Sequence, residues 1–360
     1  MSTVSVRSDR LVALLPSAGV DVLLVTDLTN VRYLTGYTGS NGIALIGPDT
    51  RTFVTDFRYL EQAAAEVDPA FDRRRSAQQL IEGVEDALPQ TELCLGFEAA
   101  HMTVSEHLQL RERLPARVEL VGTSGLVEEL RAVKQPEEVA AIRAATALAD
   151  EAFGELVAGG LAGRNERELA TALEFAMRRR GAVGPSFEPI VAGGANGALP
   201  HGRPRDEALR KNELVVIDWG AKLDGYCSDC TRTLATGRLD AESVDVYELV
   251  LDAQLAAVDD VRPGAVGRDV DGVARAAIEA AGHGEQFGHG LGHGVGLDVH
   301  EAPRLAQPSE AVLAEGNVVT VEPGVYIPGR FGVRIEDLVV VTGDGRDILT
   351  SISKELTVVD

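Results

Sequence analysis

The chain has 360 residues, 45% hydrophobic and 25% charged, a composition that supports about two globular domains with substantial cores. Its net charge of −22, from 34 basic against 56 acidic residues, argues against nucleic acid or an anionic membrane as the main partner, because both demand clustered positive charge. Three cysteines make no disulfide framework, and the apolar run Leu11–Leu15 is too short for a signal peptide or a membrane span, so the expectation is a soluble, cytoplasmic protein.

In chain order, Arg7–Ala18 has helical spacing and Asp21–Val25 reads as a buried strand. A loop or short helix over Asn30–Tyr37 precedes two strands, Gly42–Ile46 and Arg51–Thr55, joined at Gly47-Pro48-Asp49. Helices near Phe57–Glu66, Ala77–Leu88 and Thr103–Arg113 then alternate with strands Leu93–Phe97 and Val118–Val121. This predicts an α/β domain with a mixed sheet over residues 1–128, without a catalytic cluster and with His101 and His107 on the surface of one helix. A helical stretch, Ser124–Lys134 and then Pro136 to about Ala158, marks the boundary, with Pro136, Glu137 and Glu138 suited to a helix start. Asn165–Arg180 is a further helix with Asn165 as its cap. From Phe187 onwards strands and glycines dominate, interrupted by helices near Ser243–Val261 and Arg268–Ala281, which predicts an α+β domain over residues 129–360.

The most unusual stretch is Gly288-His289-Gly290-Leu291-Gly292-His293-Gly294-Val295-Gly296-Leu297-Asp298-Val299-His300-Glu301. Glycine at this density suits a backbone that must approach something closely, and a flexible linker has no use for three clustered imidazoles. No Lys-Ser or Lys-Thr follows, which argues against a phosphate cradle and leaves a metal or catalytic histidine site. Cys227 and Cys230 lie three apart on an expected strand, so their thiols point to opposite faces and do not make a zinc or redox pair.

Carboxylates matching those histidines stand in apolar strands. Leu214–Ile217 leads into Asp218, Val318–Val321 leads into Glu322, and Glu336 is embedded among Val333, Ile335, Leu338 and Val339. Asp229 follows Asp218 on the next strand of an expected hairpin turning near Lys222–Gly225, where the two acids would face each other across the ladder. Burying a lone ionised carboxylate is very costly, so acids in such strands must be paired or liganded. Four carboxylates with neutral His293 carry the charge that two divalent cations cancel, and the mostly oxygen donor set suits Mn²⁺ or Co²⁺, with Zn²⁺ also able to bind.

The order Asp218, Asp229, His293, Glu322, Glu336 resembles the metal-ligand set of the pita-bread metallopeptidases, which include methionine aminopeptidase, aminopeptidase P and prolidase. The surroundings are similar to the Xaa-Pro branch: Pro200-His201, Asp218-Trp219-Gly220, Cys227 to Thr233, His289 to Glu301, Glu322-Pro323-Gly324-Val325-Tyr326 and Val333 to Asp337. Glu129 to Lys134 with Pro136 resembles the start of the family's catalytic domain, and Asn30 to Gly36 resembles its creatinase-like N-terminal domain.

The resemblance implies a creatinase-like domain followed by a pita-bread catalytic domain holding two divalent ions, Mn, Co or Zn. Asp218 would bridge both ions or chelate one, Glu336 would bridge, Asp229 would serve one ion, and His293 and Glu322 the other. Glu322 would also shuttle protons. His201, His289 and His300 would bind substrate or steady the tetrahedral intermediate, while Thr231 and Arg334 would orient ligands. Phe187, Ile190 and Val299 would line the proline ring with Tyr326 nearby, and Arg304 or Arg32 would meet the substrate carboxylate. The implied activity is that of an Xaa-Pro dipeptidase, a homodimer in which a hydroxide held between the metals attacks the bond before proline in short peptides. Aminopeptidase P activity on longer peptides is the alternative. A metal-free creatinase-like hydrolase and a non-catalytic binding member are expected to lack ligands that this chain retains.

Overall fold

The computed structural model describes residues 3–77 and 79–359. They divide into two compact units, Met1–Arg131 and Ala132–Asp360.

The first unit is built on a six-stranded mixed sheet. Val22–Val25 lies inside it, antiparallel to Ile43–Gly47 and parallel to Leu93–Glu98. Thr50–Thr55 and then Asp72–Arg75 extend one side, and Val118–Thr123 extends the other. Continuous apolar runs form the inner strands because both faces are covered: Leu23, Leu24, Leu45 and Leu95 are fully buried. Asp72–Arg75 had no apolar alternation to announce it. It is a short, charged edge strand, the kind that discourages further pairing. The predicted helix over Ala77–Leu88 is instead a 3₁₀ turn, Leu80–Gly83, followed by the short helix Val84–Ala87; Gln78 lies outside the described residues. The stretch left open as loop or helix is the helix Leu28–Thr35, capped by Asp27. His107 sits on the helix Val104–Arg113 beside Phe97, whereas His101 precedes that helix.

The second unit has two packed halves. Helices Pro136–Ala158 and Glu166–Arg179 cover a three-stranded sheet of Ile190–Gly193, Leu214–Trp219 and Cys230–Ala235, with Phe153, Leu173 and Met177 against Val215, Ile217 and Trp219. Trp219 stacks flat on Phe153 at 4.0 Å and donates its indole N–H to Ala149 O. Helices Ala241–Asp260 and Gly267–Ala280 cover strands of the other half, burying Val250, Val270 and Ile278 with Val319, Val321 and Val339. Those strands belong to a five-stranded sheet from Glu301–Leu305 to Gly345–Ile348, accompanied by the hairpin Gly324–Ile327 and Phe331–Arg334.

Strand alternation places the polar residues. In Leu214–Trp219, Val215, Ile217 and Trp219 enter the core under the first helix pair, so Asp218 points to the opposite face. Phe331, Val333 and Ile335 enter the other core, which turns Arg334 and Glu336 away from it. Each core therefore presents its acids to a shared cavity. No helix among the described residues is long and apolar enough to cross a membrane.

Candidate metal centre and active site

The cavity, of about 570 Å³, is lined by Asp218, Asp229, His293, Glu322, Arg334 and Glu336 together with residues of the 187–204 segment and the glycine-rich run. Oxygens of Asp218, Asp229 and Glu336 all lie within 4.8 Å of one another. His293 Nε2 stands 3.6 Å from Asp229 Oδ2 and 3.3 Å from Glu322 Oε1, so all five candidate ligands converge.

The hairpin geometry differs from expectation. Thr231, not Asp229, stands opposite Asp218 across the ladder. The chain turns back early, pairing Lys222 with Cys227 and Leu223 with Tyr226, and Asp229 lies in the non-ladder break before Cys230. That break frees the Asp229 carboxylate to reach the cluster. Thr231 takes up the ladder position and donates to Glu336 Oε2 at 2.8 Å. Cys227 and Cys230 are buried in different cores and do not meet.

Hydrogen bonds set the orientation of each group. His293 Nδ1 lies 3.0 Å from Gly294 O, which can only accept, so Nδ1 carries a proton and Nε2 is the nitrogen that faces the acids. Thr320 accepts from His293 N and donates to Glu322 Oε1, both at 3.0 Å. Arg334 donates to Asp218 Oδ2 at 2.6 Å, to Thr231 Oγ1 at 3.1 Å and to Tyr326 OH at 2.8 Å. His289 Nδ1 likewise donates to Gly290 O at 2.8 Å, leaving Nε2 to accept from Tyr326 OH at 2.9 Å. Both nitrogens of His289 are thus engaged within the chain, and through Tyr326 and Arg334 it is linked to Asp218. A buried ion pair, Lys134 Nζ to Glu301 Oε2 at 3.0 Å, steadies the turn that carries His300, whose ring lies edge-on to His293 at 4.4 Å.

Burial, reinforced by the neighbouring acids, pushes the Asp229 and Glu336 carboxyls well above the ordinary range. Burial also raises Asp218, outweighing the adjacent Arg334 guanidinium. At Glu322 burial pushes upward too, but the hydrogen bond and charge of His293, with Arg334, hold it at about 2. Burial lowers both His289 and His300, keeping these imidazoles neutral near pH 7.

Four carboxylates share this buried cluster with one guanidinium and one imidazole. Asp218 Oδ1 and Glu336 Oε1 are buried with no hydrogen-bond partner. Leaving a buried acceptor unmet costs about 1–3 kcal/mol, more for a charged one. Two orphaned oxygens in one acidic cluster, beside an imidazole nitrogen, are a donor set that a divalent cation would complete. These residues fit a metal.

The profile of metallopeptidase family M24 matches residues 140–343, and that of the creatinase/prolidase N-terminal domain matches residues 7–133. The chain belongs to metallopeptidase family M24. It is an enzyme of the pita-bread fold, and the family works with divalent metal. The Xaa-Pro dipeptidase of Pyrococcus horikoshii is 34% identical over 361 residues, covering 99% of this chain and all of that one. Among solved structures, an Xaa-Pro dipeptidase from Bacillus anthracis superposes with a TM-score of 0.96 at 39% identity, over 99% of this chain and 100% of that chain. An X-Pro aminopeptidase from Thermotoga maritima gives 0.90 at 36% identity, over 98% and 100%.

The other candidate residues of this M24 metallopeptidase are distributed unevenly. Phe187, Ile190, His201, His289, His300 and Arg304 line the cavity. Tyr326 is buried behind it on His289 and Arg334. Val299 packs instead against the cluster of Ile142, Cys227 and Val295. Arg32 lies on the helix Leu28–Thr35 of the first unit. Sequence reading missed Thr320, whose signal was a lone hydroxyl in the run Val318-Val319-Thr320-Val321, and also missed Glu188 and Arg203 on the cavity wall.

Proposed function

We propose that this M24 metallopeptidase is an Xaa-Pro dipeptidase, and that Asp218, Asp229, His293, Glu322 and Glu336 hold two divalent ions, Mn, Co or Zn. The observation that carries the reading is the convergence of those five side chains, with two unpartnered carboxylate oxygens, at a cavity large enough to admit a short peptide. Full-length similarity to proteins named Xaa-Pro dipeptidase supports it.

Bound there, the ions would activate water near neutral pH and polarise the scissile carbonyl. Glu322, held ionised beside His293, is placed to take up a proton and return it to the proline nitrogen, which has no hydrogen of its own and must gain one to leave. His201 and His300 would donate to the substrate carbonyl as its oxygen gains charge. Phe187 and Ile190 offer an apolar wall to the pyrrolidine ring. Arg304 on the cavity wall would pair with the substrate carboxylate. We also infer a cytoplasmic homodimer, on the resemblance and on three free cysteines; light scattering checks the dimer.

The experiment is hydrolysis of Ala-Pro and Ala-Pro-Gly by metal-stripped protein reloaded with Mn²⁺, Co²⁺ or Zn²⁺. A dipeptide preference of at least about tenfold, worth about 1.4 kcal/mol, is expected from a carboxylate contact available only to the shorter substrate. Comparable rates would make the enzyme an aminopeptidase P, the reading favoured by its likeness to the Thermotoga X-Pro aminopeptidase. Absence of both hydrolysis and bound metal in folded protein would leave the creatinase-like or binding-only alternatives.

A further inference from the structure

The segment Phe287–Leu291 carries His289 into the cavity, yet it belongs to no strand or helix. Gly288 has open space around it, so packing does not confine it there. Phe287 and Leu291 are buried in the core at its two ends, but the backbone between them, which sets where His289 points, has no ladder or helix of its own to hold it.

That hold comes from one buried pair on the helix Gly267–Ala280. Arg275 and Asp271, one turn apart, form a two-point ion pair with N–O distances of 2.8 and 2.9 Å. Asp271 is fully buried and Arg275 nearly so. The remaining reach of the guanidinium goes to the segment: Nη1 donates to Phe287 O at 3.0 Å and Nη2 to His289 O at 2.8 Å. Its plane also lies over the Phe287 ring at 4.2 Å. Asp271 Oδ1 accepts Leu291 N at 2.9 Å. Three backbone groups in five residues are therefore fixed by two side chains. Leu291 O in turn accepts Glu322 N at 2.8 Å, which ties the same segment to the proposed proton carrier.

We propose that Asp271 and Arg275 are positioning residues for hydrolysis: they clamp Phe287–Leu291 so that His289 meets Tyr326 and the Arg334–Asp218 contact is held behind it. Neither side chain is among the cavity-lining residues, so their effect passes through His289 and the Glu322 backbone. Lysine cannot replace the arginine, because a single ammonium lacks the planar fork that reaches Asp271 and two carbonyls together. The inference rests on the dipeptidase reading for its kinetic arm only.

The test combines Arg275→Lys, Asp271→Asn and His289→Ala with the double variant of Arg275→Lys and His289→Ala. In Arg275→Lys, kcat for Ala-Pro should fall about 10–100-fold, the range for residues that orient a metal site from outside it, with KM and bound metal little changed. In the His289→Ala background the same change should cost less than about threefold, because the residue it positions is gone. An independent arm uses ring NMR of His289 in metal-free and zinc-loaded protein. The Nδ1 proton bonded to Gly290 O should be protected in the parent and exchange faster in both Arg275→Lys and Asp271→Asn. Full additivity in the double variant, or an unchanged His289 ring signal in both clamp variants, overturns the clamp. If the parent fails to cleave Ala-Pro while the ring signal still responds, the dipeptidase reading falls and the clamp stands.

Discussion

Two regions bury acids in opposite ways. In the first unit, Glu98 is buried at the end of its strand and accepts four hydrogen bonds: Thr26 N and Oγ1 at 2.6 and 3.3 Å, Asp27 N at 2.8 Å and Asn30 Nδ2 at 2.7 Å. In the second unit, Asp218, Asp229 and Glu336 crowd one another, and two of their oxygens have no donor at all. Both arrangements raise carboxyl pKa values through burial, so a raised pKa does not tell them apart. The donor inventory does. A buried acid surrounded by N–H groups is a structural joint, whereas a group of acids facing each other is a place for cations.

The sharpest break of that contrast is to remove one acid from each region. Asp229→Ala should lower kcat/KM for Ala-Pro by roughly a thousandfold, a loss of about 4 kcal/mol in transition-state stabilisation. Glu98→Gln, far from the cluster in function, should leave it within about threefold. Equal losses in both would mean that the acids act alike and the contrast is wrong. Next in size is the response to metal. Adding Mn²⁺ at about 100 times its Kd should stabilise the metal-stripped parent by about 2.7 kcal/mol, read by calorimetry as an upward shift in melting temperature. The shift should shrink strongly in Asp229→Ala and persist in Glu98→Gln. A shift independent of Asp229 places the ion elsewhere.

The smallest effect concerns Glu98 itself. Glu98→Ala deprives four donors of this acceptor and should cost about 1–3 kcal/mol in urea unfolding of the first unit. Its pH dependence has a definite sign. Burial raises the folded-state pKa above the unfolded value, so ionisation opposes folding. The stability of the parent relative to Glu98→Gln should be greatest below the ordinary glutamate pKa and decline as pH rises through the raised value. A rise over that window would show that the donors outweigh burial.

Much of this was legible before folding was considered. Continuous apolar runs announced the inner strands of the first sheet, and the Asn165 cap and Pro136 start marked their helices, because each signal is local. Asp72–Arg75 was not legible, since a charged edge strand is specified by its neighbour Thr50–Thr55 and not by its own pattern. At the site, Asp218, Glu322 and Glu336 were conspicuous as acids at or within Val- and Ile-rich runs, and His293 stood out in the glycine-rich run. Val299 was named for the pocket yet packs against the cluster of Ile142, Cys227 and Val295, while its neighbour His300 lines the cavity.

What the sequence determined by itself was the inventory: which strands bury both faces, which acids they carry, and a glycine-rich run that no regular element would tolerate. Only the tertiary structure decided who faces whom. It set Thr231 rather than Asp229 opposite Asp218, brought Glu336 to Thr231 across 105 residues, and gave Phe287–Leu291 its hold on Asp271 and Arg275. Alternation within a strand depends on the chain's own two-residue period, but ladder register and side-chain partnership depend on two cores packing at once. No local pattern encodes that.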